Sequence, residues 1–240
     1  MSEASISKQT PRILLIGASR GIGLAMVDEF LRRGWEVTAT VRNLANDELT
    51  ALSQRYPQHL MTELLDITDT LQITALYQRL SERRFDVLFI NAGTANQHQD
   101  APIATLSNQE FVEVMVTNAL SPMRVIDGLQ TRVKPDGLIG VMSSGQGSIS
   151  RNRQGGKELY RGSKAALNQF MRSYAARESS LHPERSLLLL APGWIRTVLG
   201  GDNAAFTLEE TVPDIVNTIE NRRDKPGLIY CDRFGKSVDW

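Results

Sequence analysis

Short apolar runs alternate along this chain with longer stretches in which apolar residues recur every three or four positions. Residues 12–16, 36–41, 60–65, 85–90, 138–142 and 186–191 read as short buried strands, with 227–230 as a seventh. Residues 20–33, 44–56, 70–83, 108–133, 159–180 and 208–221 carry the period of helices buried along one side. Ser107-x-x-Glu110 and Thr207-x-x-Glu210 open two of these helices as capping boxes, and Asp69 stands where it can cap the helix at 70. No repeat, low-complexity tract or linker interrupts the alternation. Strand and helix taking turns in this way predict one α/β domain: a doubly wound parallel sheet of about seven strands with helices on both faces. It spans residues 11–240 and follows a polar, frayed start at 1–10. Ligands of such a sheet sit beyond the carboxyl ends of its strands.

Composition narrows the function classes. The chain has 240 residues, 41% of them hydrophobic, enough for the core of one large domain. Lys plus Arg and Asp plus Glu both number 27, so no net field draws in nucleic acid or an anionic membrane surface. Any phosphate site must therefore be local. The single cysteine, Cys231, excludes an internal disulfide and a cysteine-based metal cluster, and no metal site is predicted. The N-terminus lacks an apolar signal core, and no apolar run reaches the roughly 20 residues of a membrane span. A soluble, cytoplasmic protein acting on small molecules is expected.

Candidate chemistry begins at Tyr160-Arg-Gly-Ser-Lys164, where helical spacing stacks a phenol and an ammonium on one face. A free tyrosine titrates near ~10, and a neighbouring cation stabilises the phenolate and lowers that value toward useful proton exchange. The first strand runs into Gly17-Ala-Ser-Arg-Gly21-Ile-Gly23. Such a glycine turn lets backbone N–H groups and a helix N-terminus face a pyrophosphate without Cβ obstruction. The second strand ends in Thr40-Val41-Arg42-Asn43. No carboxylate is present there for a ribose 2′-hydroxyl, whereas Arg42 with Arg20 suits a 2′-phosphate, so NADP(H) is preferred over NAD(H).

These residues resemble the short-chain dehydrogenase/reductase family and its Rossmann-type fold over nearly the whole chain. The Gly-x-x-x-Gly-x-Gly spacing of Gly17, Gly21 and Gly23 is the family's, followed by Asp66, Asn91-Ala92-Gly93, Asn118, Ser144, Tyr160 with Lys164, and Pro192-Gly193 with Thr197. The tail from 227 to 240 further resembles the C-factor-like and sniffer-like carbonyl reductase branch.

The resemblance implies hydride transfer between a nicotinamide and a carbonyl carbon or secondary alcohol, with Tyr160 exchanging the proton at oxygen. Ser144, rather than Ser143, would hold that oxygen. Lys164 would lower the tyrosine pKa and bind the ribose, and Asn118 would hold a water linking Lys164 to solvent. The implied cofactor-binding set also takes in Ser19, Ile22, Ile67 and Ile195, with Asp66 as an adenine contact unless it only caps a helix. Resembling proteins pack the helices at 108–133 and 159–180 across a dimer axis, so a homodimer or homotetramer is expected.

Three features depart from the family pattern. Ile16 stands where a threonine usually precedes the first glycine and Ile90 where an asparagine is common, which removes hydrogen bonds that support the turn. The interval from Ser144 to Tyr160 is a few residues longer than usual, the excess falling in Arg151-Asn-Arg-Gln-Gly-Gly156. Substrate would be lined by residues 94–98, 145–156 and Trp194, with Leu199 as apolar contact, Arg151 and Arg153 as anion contacts, His98 solvated, and Gly200-Gly201 as a hinge of a short lid. Two other classes remain open: a nucleotide-binding signalling or sensor protein of the C-factor type, and a sugar-nucleotide epimerase or dehydratase. The latter generally needs an added C-terminal substrate domain of ~50 residues or more, and too few residues follow Thr197 for one.

Overall fold

Strand β1 (Arg12–Ile16) sends Ile13 and Leu15 to one side and Leu14 and Ile16 to the other, all fully or almost fully buried. A strand apolar on both sides needs cover on both, which only a sheet wound by helices in two layers supplies. A computed structural model describes residues 10–240. The expected frayed start at 1–10 therefore lies, apart from Thr10, outside the described residues.

The element order is β1, α1 (Gly21–Arg32), β2 (Glu36–Val41), α2 (Asp47–Arg55), β3 (Leu60–Leu64), α3 (Thr70–Arg79), β4 (Phe85–Ile90), α4 (Asn108–Met115), α5 (Ser121–Leu129), β5 (Val133–Met142), α6 (Glu158–Glu178), β6 (Ser186–Ala191), α7 (Leu208–Arg222) and β7 (Gly227–Asp232). All seven strands lie in one sheet of order β3-β2-β1-β4-β5-β6-β7, paired in parallel throughout. The order reverses between β1 and β4, and that switch point opens the crevice in which such sheets bind ligands.

One core layer packs Met26, Val27 and Phe30 of α1 and Ile215, Val216 and Ile219 of α7 against Leu15, Val37 and Phe89. The opposite layer packs Ile73 and Leu76 of α3, Val125 and Ile126 of α5 and Leu167 and Met171 of α6 against Leu14, Leu88 and Leu189. Each fully buried Leu, Ile or Phe contributes about 1.5–3 kcal/mol, so the two layers hold the strand ends rigidly in register. The residues after Thr197 complete the sheet with α7 and β7.

Most boundaries fall within four residues of the expected ones, α2 starting at Asp47 and α3 ending at Arg79, and three larger differences in the middle of the chain have physical reasons. The single helix expected over 108–133 is broken by a π turn at Val116–Leu120, in which Ser121 N–H donates to the Val116 carbonyl five residues back. Pro122 is the cause: it carries no N–H, so the Asn118 carbonyl lacks its α-helical donor. The helix then ends at Leu129, because Val133 already pairs with Phe85. Strand β5 thus starts at Val133 and not at 138, with a register shift between Phe85 and Val87 where Lys134–Gly137, a turn-like sequence, bulges from the pairing.

Candidate active site

The glycine turn is built by close approach. A Cβ on Gly17, whose φ is +86°, would lie 2.7 Å from the Ala92 nitrogen, and one on Gly23 would lie 2.1 Å from the Gly17 carbonyl oxygen. A side chain at Gly17 would push the turn off the segment after β4, and one at Gly23 would push α1 off the end of β1. Two side chains hold the turn: Gly17 N–H donates to Thr40 Oγ1 at 3.1 Å, and Asn91 Nδ2 donates to the Gly17 carbonyl at 2.8 Å. The bonds that Ile16 and Ile90 removed are thereby replaced, and both isoleucines are fully buried in the core. Thr40 was missed from the sequence, where it passes for an ordinary β-branched strand residue.

Helices α2, α3, α4 and α7 start with side-chain caps from Asn46, Asp69, Ser107 and Thr207, the last two as complete capping boxes. Helix α1 starts at Arg20 with none. Its first-turn N–H groups therefore face the crevice open to an anion, which fits a pyrophosphate. The Ser19 carbonyl is tied by Asn46 Nδ2 at 2.8 Å, Ile22 leans on the core, and Arg20 and Arg42 are exposed. Burial alone would raise the Asp66 carboxyl. Bonds from the Thr68 hydroxyl at 2.7 Å and N–H at 2.9 Å, with the Arg42 charge, bring it below its ordinary value. Ile67 turns its side chain into the core and leaves only backbone for a ligand.

Tyr160 and Lys164 sit one turn apart on α6, beneath the ends of β4 and β5. Lys164 is 4% exposed, and its Nζ donates to the Met142 carbonyl at 3.0 Å. Burial pushes its pKa down to about 8. The phenol of Tyr160 is pushed up to about 12 by burial, with the nearby Ser144 hydroxyl pulling the other way. The expected lowering by Lys164 is overridden here. The Nζ lies 5.8 Å from the Tyr160 ring centre and is committed to Met142, so desolvation decides both values.

The two serines divide by partner. Ser143 is buried and donates to Asn168 Oδ1 at 2.6 Å, while Ser144 lies against Tyr160 and accepts from Gln146 N–H at 3.1 Å. Asn118 is fully buried, and its amide is fully used: Oδ1 accepts from Thr94 N–H at 2.8 Å, and Nδ2 donates to the Thr94 carbonyl at 2.8 Å and Ser163 Oγ at 2.9 Å. The side chain thus locks α4–α5 to the segment after β4, and the backbone carbonyl freed by Pro122 is the group left for a water. Gly93 passes between them, its Cβ position 3.3 Å from Asn118 Oδ1 and 3.4 Å from Lys164 Nζ.

After β6, Pro192 and Gly193 lead the chain back over the glycine turn, where Thr197 Cγ2 comes within 3.4 Å of the Gly21 Cβ position. Ile195 is buried and pairs with Phe206. Gly200 is not a free hinge: its Cβ position lies 2.0 Å from the Ile195 carbonyl, and its N–H donates to Thr197 Oγ1 at 3.0 Å, so it closes a tight turn. Trp194 is 48% exposed above the site, with Lys157 Nζ 5.6 Å from its ring. Gly155, Gly156 and Lys157 form three successive left-handed residues, at φ +67°, +68° and +49°, which take up the extra length before Tyr160. Arg151 pairs with Asp239 at 3.1 Å, Arg153 is exposed, and His98 is exposed as expected. Cys231 is buried with its thiol pushed up to about 11 and takes no part. Among the described residues no His, Cys, Asp or Glu cluster suits a metal, and no helix is long and apolar enough to cross a membrane.

An all-parallel sheet whose switch point carries an uncapped, glycine-lined helix start defines a dinucleotide-binding protein. The family model described as enoyl-(acyl carrier protein) reductase matches residues 17–214. The chain belongs to the short-chain dehydrogenase/reductase family of oxidoreductases. It is 53% identical to a Burkholderia multivorans structure titled as a short-chain dehydrogenase/reductase with bound NADP, with a TM-score of 0.93 over 96% of this chain and 100% of that one. A Pseudomonas aeruginosa carbonyl reductase in complex with NADP is 34% identical, with a TM-score of 0.88 over 96% and 100% of the two chains. The C-signal protein of Myxococcus xanthus is 30% identical over 65% of this chain and 92% of its own length. These similarities agree with the branch that the tail resembles.

Proposed function

We propose that residues 11–240 act as one unit that reduces a small carbonyl compound with NADP(H), Tyr160 giving the proton. The observation that carries this is the placement of Tyr160 and Lys164 one turn apart on α6, with Lys164 Nζ bonded to the Met142 carbonyl at the end of β5 and 3.4 Å from the Gly93 Cβ position, next to Ser144 and the glycine cradle.

Gly17, Ser19, Gly21, Ile22 and Gly23 would hold the pyrophosphate, Arg20 and Arg42 the 2′-phosphate, and Asp66 with the Ile67 backbone the adenine. Asn91, Ala92, Gly93, Lys164, Pro192, Gly193, Ile195 and Thr197 would hold the nicotinamide half. NADPH held in that cradle would supply the hydride for the carbonyl carbon. Ser144 holds the carbonyl oxygen against Tyr160, and the phenolic proton passes to that oxygen, which becomes the alcohol hydroxyl. The phenolate is reprotonated from Lys164, and Lys164 from solvent by way of the Asn118 carbonyl. NADP-bound relatives at 53% and 34% identity support the cofactor. The exposed apolar residues Phe111, Val112, Leu120 and Phe170 favour pairing of copies across these helices, as a homodimer or homotetramer, and the balanced charge suits the cytoplasm.

The test is a panel of aldehydes, ketones and quinones run with NADPH and NADH side by side. Turnover with NADPH well above that with NADH is expected. No oxidation of either cofactor with any member would overturn the enzymatic reading, and equal use of both would overturn the cofactor preference.

A further inference from the structure

The turn that carries Ser144 is tied at one end to β7 and at the other to the segment that follows it, both far away in sequence. Tyr230, 2% exposed, donates its hydroxyl to the Ser144 carbonyl at 2.5 Å. Beyond β7 the chain reverses at Asp232, whose Oδ1 accepts from Phe234 N–H at 2.9 Å and Lys236 N–H at 3.0 Å, and it runs back antiparallel with Cys231 opposite Ser237. Val238 N–H donates to the Tyr230 carbonyl at 2.9 Å. Trp240 then lies over Tyr230, ring centres 5.4 Å apart, with the Arg172 guanidinium 4.6 Å from its ring on α6.

The same residue grips the other end of the turn. The Trp240 carbonyl accepts from Ser150 N–H at 3.1 Å and Ser150 Oγ at 2.7 Å, and Asp239 pairs with Arg151 at 3.1 Å. Between the two anchors lie only the tight turn Gly145–Gly147, the buried Ser148 and the exposed Ile149. The anchors therefore set where Ser144 stands relative to Tyr160. Displacement of about 1 Å at such a group matters, because carbonyl anchoring and proton transfer both need hydrogen-bond distance.

We propose that Tyr230 and Trp240 are positioning residues that hold Ser144 and the adjoining turn at the height the carbonyl substrate requires. The proposal rests on the reading of Ser144 as the carbonyl anchor. Both residues reach the site through the backbone of the turn, Tyr230 at the Ser144 carbonyl and Trp240 at Ser150.

A double-mutant cycle tests it on the full chain, with the highest-turnover carbonyl of the panel and NADPH. Tyr230→Phe and Trp240→Ala should each lower kcat/KM about tenfold, with the NADPH Kd within about twofold and Trp240→Phe restoring most of the loss. In a Ser144→Ala background the same changes should cost less than about twofold, because the group they position is gone. Independently of activity, Trp240→Ala should speed tryptic cleavage after Arg151 and Arg153 about tenfold, since the released turn opens locally. Full losses in the Ser144→Ala background, or unchanged kcat/KM and cleavage in Trp240→Ala while Ser144→Ala is impaired, would overturn the positioning role alone. Wild-type kcat/KM in Ser144→Ala would instead overturn the reading of Ser144, and the proposal with it.

Discussion

Lys164 Nζ lies 5.8 Å from the centre of the Tyr160 ring and donates to the Met142 carbonyl at 3.0 Å. The cation thus lies near the phenol ring but is held by the end of β5. Burial, acting on both groups in opposite directions, leaves an ammonium at about 8 beside a phenol at about 12.

Lys164 is therefore the group that titrates in the accessible range. Its cation is present below about pH 8 and lost above it. We expect kcat/KM for carbonyl reduction to hold steady below about pH 8 and fall as pH rises beyond, the limb steepening toward tenfold per unit. A rate profile of the wild-type enzyme with NADPH checks this, and a flat profile from pH 7 to 10 would separate the Lys164 charge from catalysis.

The same burial predicts a trade between activity and stability. The unfolded chain keeps the Lys164 proton up to its ordinary 10.5, whereas the folded chain releases it above about 8. The group therefore opposes folding at pH 7, by on the order of 1–3 kcal/mol, and this penalty fades as pH rises from 8 to 10.5. Lys164→Met, of similar volume and uncharged, should raise Tm at pH 7 by about 2–6 °C while abolishing most reductase activity. A lowered Tm would show that the ammonium stabilises the fold.

On the proposed reading, Arg42 carries the cofactor preference. Arg42→Ala should weaken NADPH binding by about ten- to a hundredfold through loss of charge-assisted bonds to the 2′-phosphate, leaving NADH binding within about twofold. Fluorescence titration of both cofactors reads the difference, and equal weakening of the two would assign Arg42 to the turn's structure.

Much of the fold was legible because its signals are local. Both capping boxes, the Asp69 cap, the apolar strands and the glycine turn are each set by residues within a few positions of one another. What escaped is non-local. Thr40 replaces the bond missing at Ile16 from the neighbouring strand, and Tyr230 reaches Ser144 across 86 residues of chain. The break in the long helix did leave a mark, Pro122, but the apolar period runs straight through it. Strand β5 starts early because Val133 finds Phe85, a pairing hidden behind a segment that reads as a turn. The pKa order of Tyr160 and Lys164 could not be read from their spacing, since burial outweighs the charge between them.

The central claim, that Tyr160 supplies the proton, is tested most directly by the kcat of Tyr160→Phe with NADPH and the best carbonyl of the panel, in protein shown to be folded by its melting transition. The account predicts a fall of at least about a hundredfold with the NADPH Kd within about threefold of wild type. Wild-type turnover in the folded variant would contradict it.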